Sequence, residues 1–143
     1  MNATFVKFGK QGGLAVALFF ACAAPANAAP PVTGRWLTDG GKALVEIAPC
    51  GAALCGRIAR VLISTTGVAT DRNNPDPKLR ARPLTGLTIL SGFTDAGNVW
   101  KGRIYDPESG RSYRSELERR DGTLRVKGCL GPFCRTQVWR STR

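Results

Sequence analysis

The 143-residue sequence contains no histidine, a single methionine, and 10 acidic side chains against 21 lysines and arginines. Without histidine, Ser–His–Asp and Cys–His catalysis and histidine-ligated zinc hydrolysis are excluded. Gly128-Cys129-Leu130-Gly131 has the outline of a transpeptidase cysteine motif, but the histidine such a motif needs is missing. The shortage of carboxylates leaves two close acidic pairs, Asp106 with Glu108 and Glu116 with Glu118. Glycosidases need two carboxyls facing each other across a cleft. The first pair flanks a turn signal, and the second lies between Arg114 and Arg119 on a solvated strand face. An envelope enzyme built on carboxylates is therefore the third-ranked reading, and no enzymatic activity is expected. Helical apolar stripes of ten residues are also missing, which argues against a helix bundle; only a short helical turn within 76–85 is compatible with the pattern.

One long apolar run exists, and it is at the N-terminus. Lys7 and Lys10 precede the run Gly12–Ala24, which is followed by Pro25 and the triplet Ala26-Asn27-Ala28. A basic segment, an apolar segment and an A-x-A site form a secretory signal peptide, so cleavage after Ala28 is expected. The run is too short to span a bilayer comfortably. A lipoprotein signal retaining Cys22 is the rival, weakened because Phe19 occupies the position where such signals usually carry leucine. The mature chain, residues 29–143, is then one domain, periplasmic or secreted, with no integral membrane span. It retains 19 basic and 10 acidic side chains, a net charge of +9. Such a surface attracts anions without discrimination. Export disfavours nucleic acid as the partner.

Four cysteines remain, Cys50, Cys55, Cys129 and Cys134. In an oxidising compartment an even set reads as disulfides. Structural zinc sites usually have two to four residues between paired cysteines, which puts these pairs at the upper end, and such sites are more at home in a reducing compartment, so no metal or other cofactor is expected. Local pairing, Cys50–Cys55 and Cys129–Cys134, places partners across hairpins at an acceptable separation. Crossed pairing would close loops of roughly 80 residues and contribute more, but it needs the two hairpins to touch.

Turn signals at Asp39-Gly40-Gly41, Gly51, Asp95–Asn98, Asp106–Gly110, Asp121-Gly122 and Gly131-Pro132 punctuate runs of strand length. The pattern predicts strands near 33–38, 43–50, 55–63, 86–93, 98–105, 111–120, 123–129 and 134–141. Trp100, Gly102 and Ile104 alternate with Lys101, Arg103 and Tyr105; Tyr113, Ser115 and Leu117 alternate with Arg114, Glu116 and Glu118. The expected fold is all-β, a single small antiparallel up-and-down barrel of about eight strands, because closure removes unpaired edges. A two-sheet β-sandwich is the alternative.

The one long interruption runs from Ser64 to Thr85. Asp71, Asn73 and Asp76 could offer oxygens to calcium, yet the glycine and terminal glutamate of an EF-hand loop are missing, so turn formation and capping are the expected roles. Lys78, Arg80 and Arg82 alternate and would share a face on an extended segment, where they could grip a phosphate or carboxylate.

Gly34-Arg35-Trp36, Cys55-Gly56-Arg57-Ile58, Asn74-Pro75-Asp76-Pro77, Leu79–Leu84, Gly86-Leu87, Trp100–Pro107, Gly110, Tyr113, and Lys127-Gly128-Cys129 through Cys134-Arg135 together resemble the exported bacterial family known as domain of unknown function 2147. The resemblance covers nearly all of residues 33–140. It implies a small β-barrel and carries over no catalytic residue or substrate. A looser, architectural resemblance is to lipocalin-like barrels, in which a Gly-x-Trp on the first strand closes one barrel end against a basic side chain of the last strand. That resemblance gives Gly34 and Trp36 a structural role, with Arg135 or Arg140 as the basic partner through a cation–π contact.

The leading functional reading is a non-enzymatic periplasmic binding or accessory barrel for a small amphipathic or anionic ligand, or for an envelope component. Lys78, Arg80 and Arg82 are its expected gate residues, with Trp100 as a further ligand contact. The alternative is a structural or protein-interaction domain with a packed core.

Overall fold

A computed structural model describes residues 27–63 and 69–143. The expected leader, apart from Asn27 and Ala28, lies outside the described residues, as do Cys22 and residues 64–68 of the long loop. Eight antiparallel strands follow in chain order: β1 (Gly34–Leu37), β2 (Ala43–Cys50), β3 (Ala53–Val61), β4 (Thr88–Asp95), β5 (Trp100–Asp106), β6 (Arg111–Arg120), β7 (Thr123–Leu130) and β8 (Phe133–Thr142). Each pairs with its neighbours in sequence, and β8 returns to β1, so the sheet is a closed barrel and not a sandwich. Strand bounds differ from expectation by no more than two residues at any end. β3, for instance, starts at Ala53 because Gly51 and Ala52 alone make the turn.

Both local disulfides form, and the same spacing produces two registers. Cys129 and Cys134 are directly opposed, with Cα atoms 4.0 Å apart. Cys50 instead opposes Ala53 while Cys55 opposes Ala48, so that bridge runs diagonally over 5.7 Å. The two braces sit at opposite barrel ends: Cys50–Cys55 beside the β4–β5 and β6–β7 turns, and Cys129–Cys134 at the end carrying the long loop and the β5–β6 turn.

Alternation fills the interior. Val45 and Ile47 of β2, Leu54 and Ile58 of β3, Ile89, Leu90 and Phe93 of β4, Leu117 of β6, Leu124 and Val126 of β7, and Trp139 of β8 form one buried cluster with Trp36. Packing at native density leaves little tolerance there. A Cβ on Gly102 would come within 2.7 Å of the Phe93 ring, so this strand position must be glycine for Phe93 to keep its buried place.

Candidate functional site

One barrel end, the floor, is sealed by a strap of chain preceding β1. Ala29 donates its backbone N–H to the Asp95 carboxylate, 3.1 Å from each oxygen. The Pro30 carbonyl accepts from Trp100 Nε1 at 2.9 Å, the Pro31 carbonyl from Arg119 at 3.2 Å, and the Val32 carbonyl from Trp36 Nε1 at 2.9 Å. Four successive residues are thus held by side chains from β4, β5, β6 and β1, and Val32 is fully buried. The Arg119 guanidinium also lies 5.6 Å from the Trp36 ring centre.

This geometry corrects the expected end-plug. Trp36 is buried beside Gly34 at the start of β1, but its basic partner is Arg119 from β6, not Arg135 or Arg140. Arg140 follows the buried Trp139 and so faces outward, and Arg135 pairs with Gly128 four residues further toward the opposite end. Trp100 likewise belongs to the floor, its indole N–H bound to the strap. It shares no site with Lys78, Arg80 and Arg82, which lie at the other end.

That other end, the mouth, is covered over part of its circumference by the long loop. The loop is not extended at the three basic residues. Asp76 caps a short 3₁₀ turn, Pro77–Leu79, by accepting from the Lys78 N–H. Arg80 donates Nε to the Asn74 carbonyl at 2.8 Å. Arg82 donates to Asp71 through Nε at 2.9 Å and Nη2 at 2.8 Å. Two of the three expected gate residues are therefore engaged inside the loop, Arg82 by an ion pair and Arg80 by a hydrogen bond to a backbone carbonyl, while the Lys78 ammonium has neither among the described residues.

Asp71 is the centre of the loop's anchorage. Its buried carboxylate accepts from Tyr105 Oη at 2.6 Å and from Asn74 Nδ2 at 2.8 Å, in addition to Arg82. Burial alone would push this carboxyl upward, but the hydrogen bonds from Tyr105, Asn74 and Arg82, together with the guanidinium charge, hold it below its ordinary value. Burial and the neighbouring carboxylate raise the Tyr105 phenol above its own. Asn73 donates to the carbonyls of Pro107 and Glu108 in the β5–β6 turn, at 3.3 and 2.8 Å. A Cβ on Gly110, which has φ +67°, would overlap the Asn73 carbonyl. Lys42, at the β1–β2 link, forms an ion pair with Glu108 and so ties two opposite sectors of the rim. These contacts give Asp71, Asn73 and Asp76 structural roles. The other acidic candidates are similarly engaged: Asp106 accepts from Ser109, Glu116 lies between Lys101 and Lys127, and Glu118 faces Arg120.

The rest of the mouth is different. The β1–β8 ladder covers only Arg35–Leu37 with Arg140–Thr142, so Phe133–Trp139 are laddered to β7 alone. On this unlidded sector the inward-facing rows of β5 to β8 continue past the core. Gly102, Ser115, Gly128 and Arg135 form one rung, and Ile104 and Tyr113 the next. Ser115 is 3% exposed and its Oγ has no hydrogen-bond partner. Leu130 and Phe133, on the same row as Val126 and Trp139, are 55% and 80% exposed. The site thus combines exposed apolar surface, one cation and an unpartnered buried hydroxyl. Sequence reasoning missed Leu130 and Phe133; their signal is two large apolar residues flanking Gly131-Pro132, too far along the hairpin to reach the core. Two clefts lie elsewhere on the surface, one of about 540 Å³ over the outer face of β2 and β3 and one of about 490 Å³ between Arg82, Thr85, Tyr105 and Ser112.

The barrel is similar to that of protein HP1028 from Helicobacter pylori, described as belonging to the lipocalin family, with a TM-score of 0.69 at 20% identity over 79% of this chain and 84% of that one. At that identity the likeness shows the shared fold. No curated protein matches the chain. The family model described as "uncharacterized protein conserved in bacteria (DUF2147)" matches residues 34–141, nearly the whole barrel from β1 to β8, and the chain belongs to that family.

Proposed function

We propose that the protein is an exported, non-enzymatic binding barrel that takes a small amphipathic anion at the unlidded sector of its mouth. The observation that carries this reading is the exposure of Phe133 and Leu130 on the inward-facing row, next to Arg135 and above the unpartnered Ser115 hydroxyl. Exposed apolar surface beside convergent polar groups suits a ligand with an apolar body and an anionic head. Leu130, Phe133, Ile104 and Tyr113 would contact the body, and Arg135 the head group. Lys78, an uncommitted cation of the loop, would supply long-range attraction. The packed floor leaves the ligand a shallow seat at the rim, not a deep calyx. Two disulfides fit an oxidising compartment outside the cytoplasm.

Native mass spectrometry of protein purified from its own envelope, followed by titration with a fluorescent fatty-acid-type probe, tests the reading. Probe binding by the native protein, lost in Phe133→Ser and Arg135→Glu, is the expected result. Failure to bind, or equal binding by the variants, would overturn it.

A second reading, a protein-interaction domain, is favoured by one observation: Phe133–Trp139 ladder on one side only, and such an edge can accept another strand. A photo-crosslinker at position 133 in intact cells separates the two, since this reading predicts one protein adduct of defined mass.

A further inference from the structure

The floor strap meets the Asp95 carboxylate at a single peptide nitrogen. The Ala29 nitrogen is equidistant from both Asp95 oxygens, at 3.1 Å. As a peptide nitrogen it has one hydrogen to share between two acceptors. Ala29 is 6% exposed, whereas Asn27 and Ala28 before it are exposed, so the chain passes from solvent into the barrel end at this one bond. Asp95 has no cationic partner among the described residues; besides Ala29, its Oδ1 accepts from the Gly97 N–H, at 2.8 Å, within the β4–β5 turn.

We propose that cleavage of the Ala28–Ala29 bond creates an α-ammonium at Ala29 that forms an ion pair with Asp95, at the edge of the barrel end, and locks the barrel floor. The proposal builds on the cleavage expected after Ala28 and is independent of the ligand reading. Hydrolysis by a leader peptidase consumes one water, leaves a carboxylate on Ala28 and an amine on Ala29, and the amine takes up a proton near neutral pH. Three N–H donors then replace one, and both carboxylate oxygens can be satisfied by charge-assisted bonds. Nothing else in the strap needs to move, because the carbonyls of Pro30, Pro31 and Val32 are already held by Trp100, Arg119 and Trp36. Leader removal would thus add a bond to the fold as well as release the chain.

The test begins with the full chain exported through its own leader, followed by N-terminal sequencing and acetylation by a succinimidyl ester, with the α-amine read by peptide mass. The expected start is Ala29. Its amine should acetylate at least about tenfold more slowly in the native protein than in the urea-unfolded one, the effect of a one-unit rise in amine pKa. Asp95→Asn, which keeps the acceptor for Gly97, should remove most of that protection. A start at any other residue, or equal acetylation rates in native and unfolded wild-type protein, would overturn the proposal. The comparison of native with unfolded wild type decides even if the variant fails to fold.

Discussion

The two ends of this barrel are built from the same materials and finished differently. At the floor, the strap carbonyls of Pro30, Pro31 and Val32 each have a donor from a different strand, and Trp36, Trp139, Leu124 and Val32 are buried beneath it. At the mouth, hydrogen bonds are spent on fixing a loop to one sector, while the β7–β8 hairpin carries its apolar residues into solvent. Burial of matched groups marks a structural end, and on the proposed reading apolar surface left unburied beside a cation marks the binding one. On that reading the difference separates the substitutions that cost stability from those that cost binding.

The largest expected effect lies at the floor. Trp36→Ala should lower unfolding free energy by about 3–5 kcal/mol, read by urea denaturation, whereas Phe133→Ala should stay within about 0.5 kcal/mol of wild type. Comparable losses would erase the distinction between the ends. Next, replacing either cysteine pair by serine should cost about 2 kcal/mol, since both close short loops of equal length. Only the Cys129/Cys134 replacement should also weaken probe binding, because only that brace supports the hairpin of the mouth.

A smaller, local effect is expected at the loop anchor. The Asp71 carboxyl is depressed in the folded protein, so its contribution is complete above the ordinary value of 3.8 and is lost as pH falls through the lower native value. The Tyr105 phenol is raised above 10.0, so its contribution is complete below that pH and is lost as pH rises through the native value. NMR shifts of Asn74 and Gly110 followed across pH should show two limbs; Asp71→Asn should abolish the acid one and leave the floor resonances in place. The smallest effect on stability belongs to Arg135→Gln, expected within about 0.5 kcal/mol while probe affinity falls about tenfold, the loss of one charge-assisted contact. Isothermal titration beside thermal denaturation checks both halves.

Much of the barrel was legible because two-residue alternation and turn chemistry are local. Trp100, Gly102 and Ile104 announce β5, and Asp121-Gly122 announces the β6–β7 turn with both residues at positive φ. The site was far less legible because its contacts are distant in sequence. Asp71 and Tyr105 are 34 residues apart, and Ala29 and Asp95 are 66 apart. The basic loop residues read as free cations because no sequence rule pairs Arg82 with Asp71 eleven positions earlier. Arg119 was passed over for Arg135 and Arg140 because the lipocalin-like pattern directed attention to the last strand. Gly102 reads as one more position of the β5 alternation, and its need to be glycine shows only once Phe93 is seen against it.

The pairing of β1 with β8 also sets an order in time. Arg35 finds its partner in Thr142, and Leu37 in Arg140, more than a hundred residues later. Until β8 has been made, the outer edge of β1 has nothing to bond, however complete β2 to β7 have become. Loop-closure entropy and high contact order both slow such a final step. A chain that emerges N-terminus first must therefore wait for its last strand before it can close.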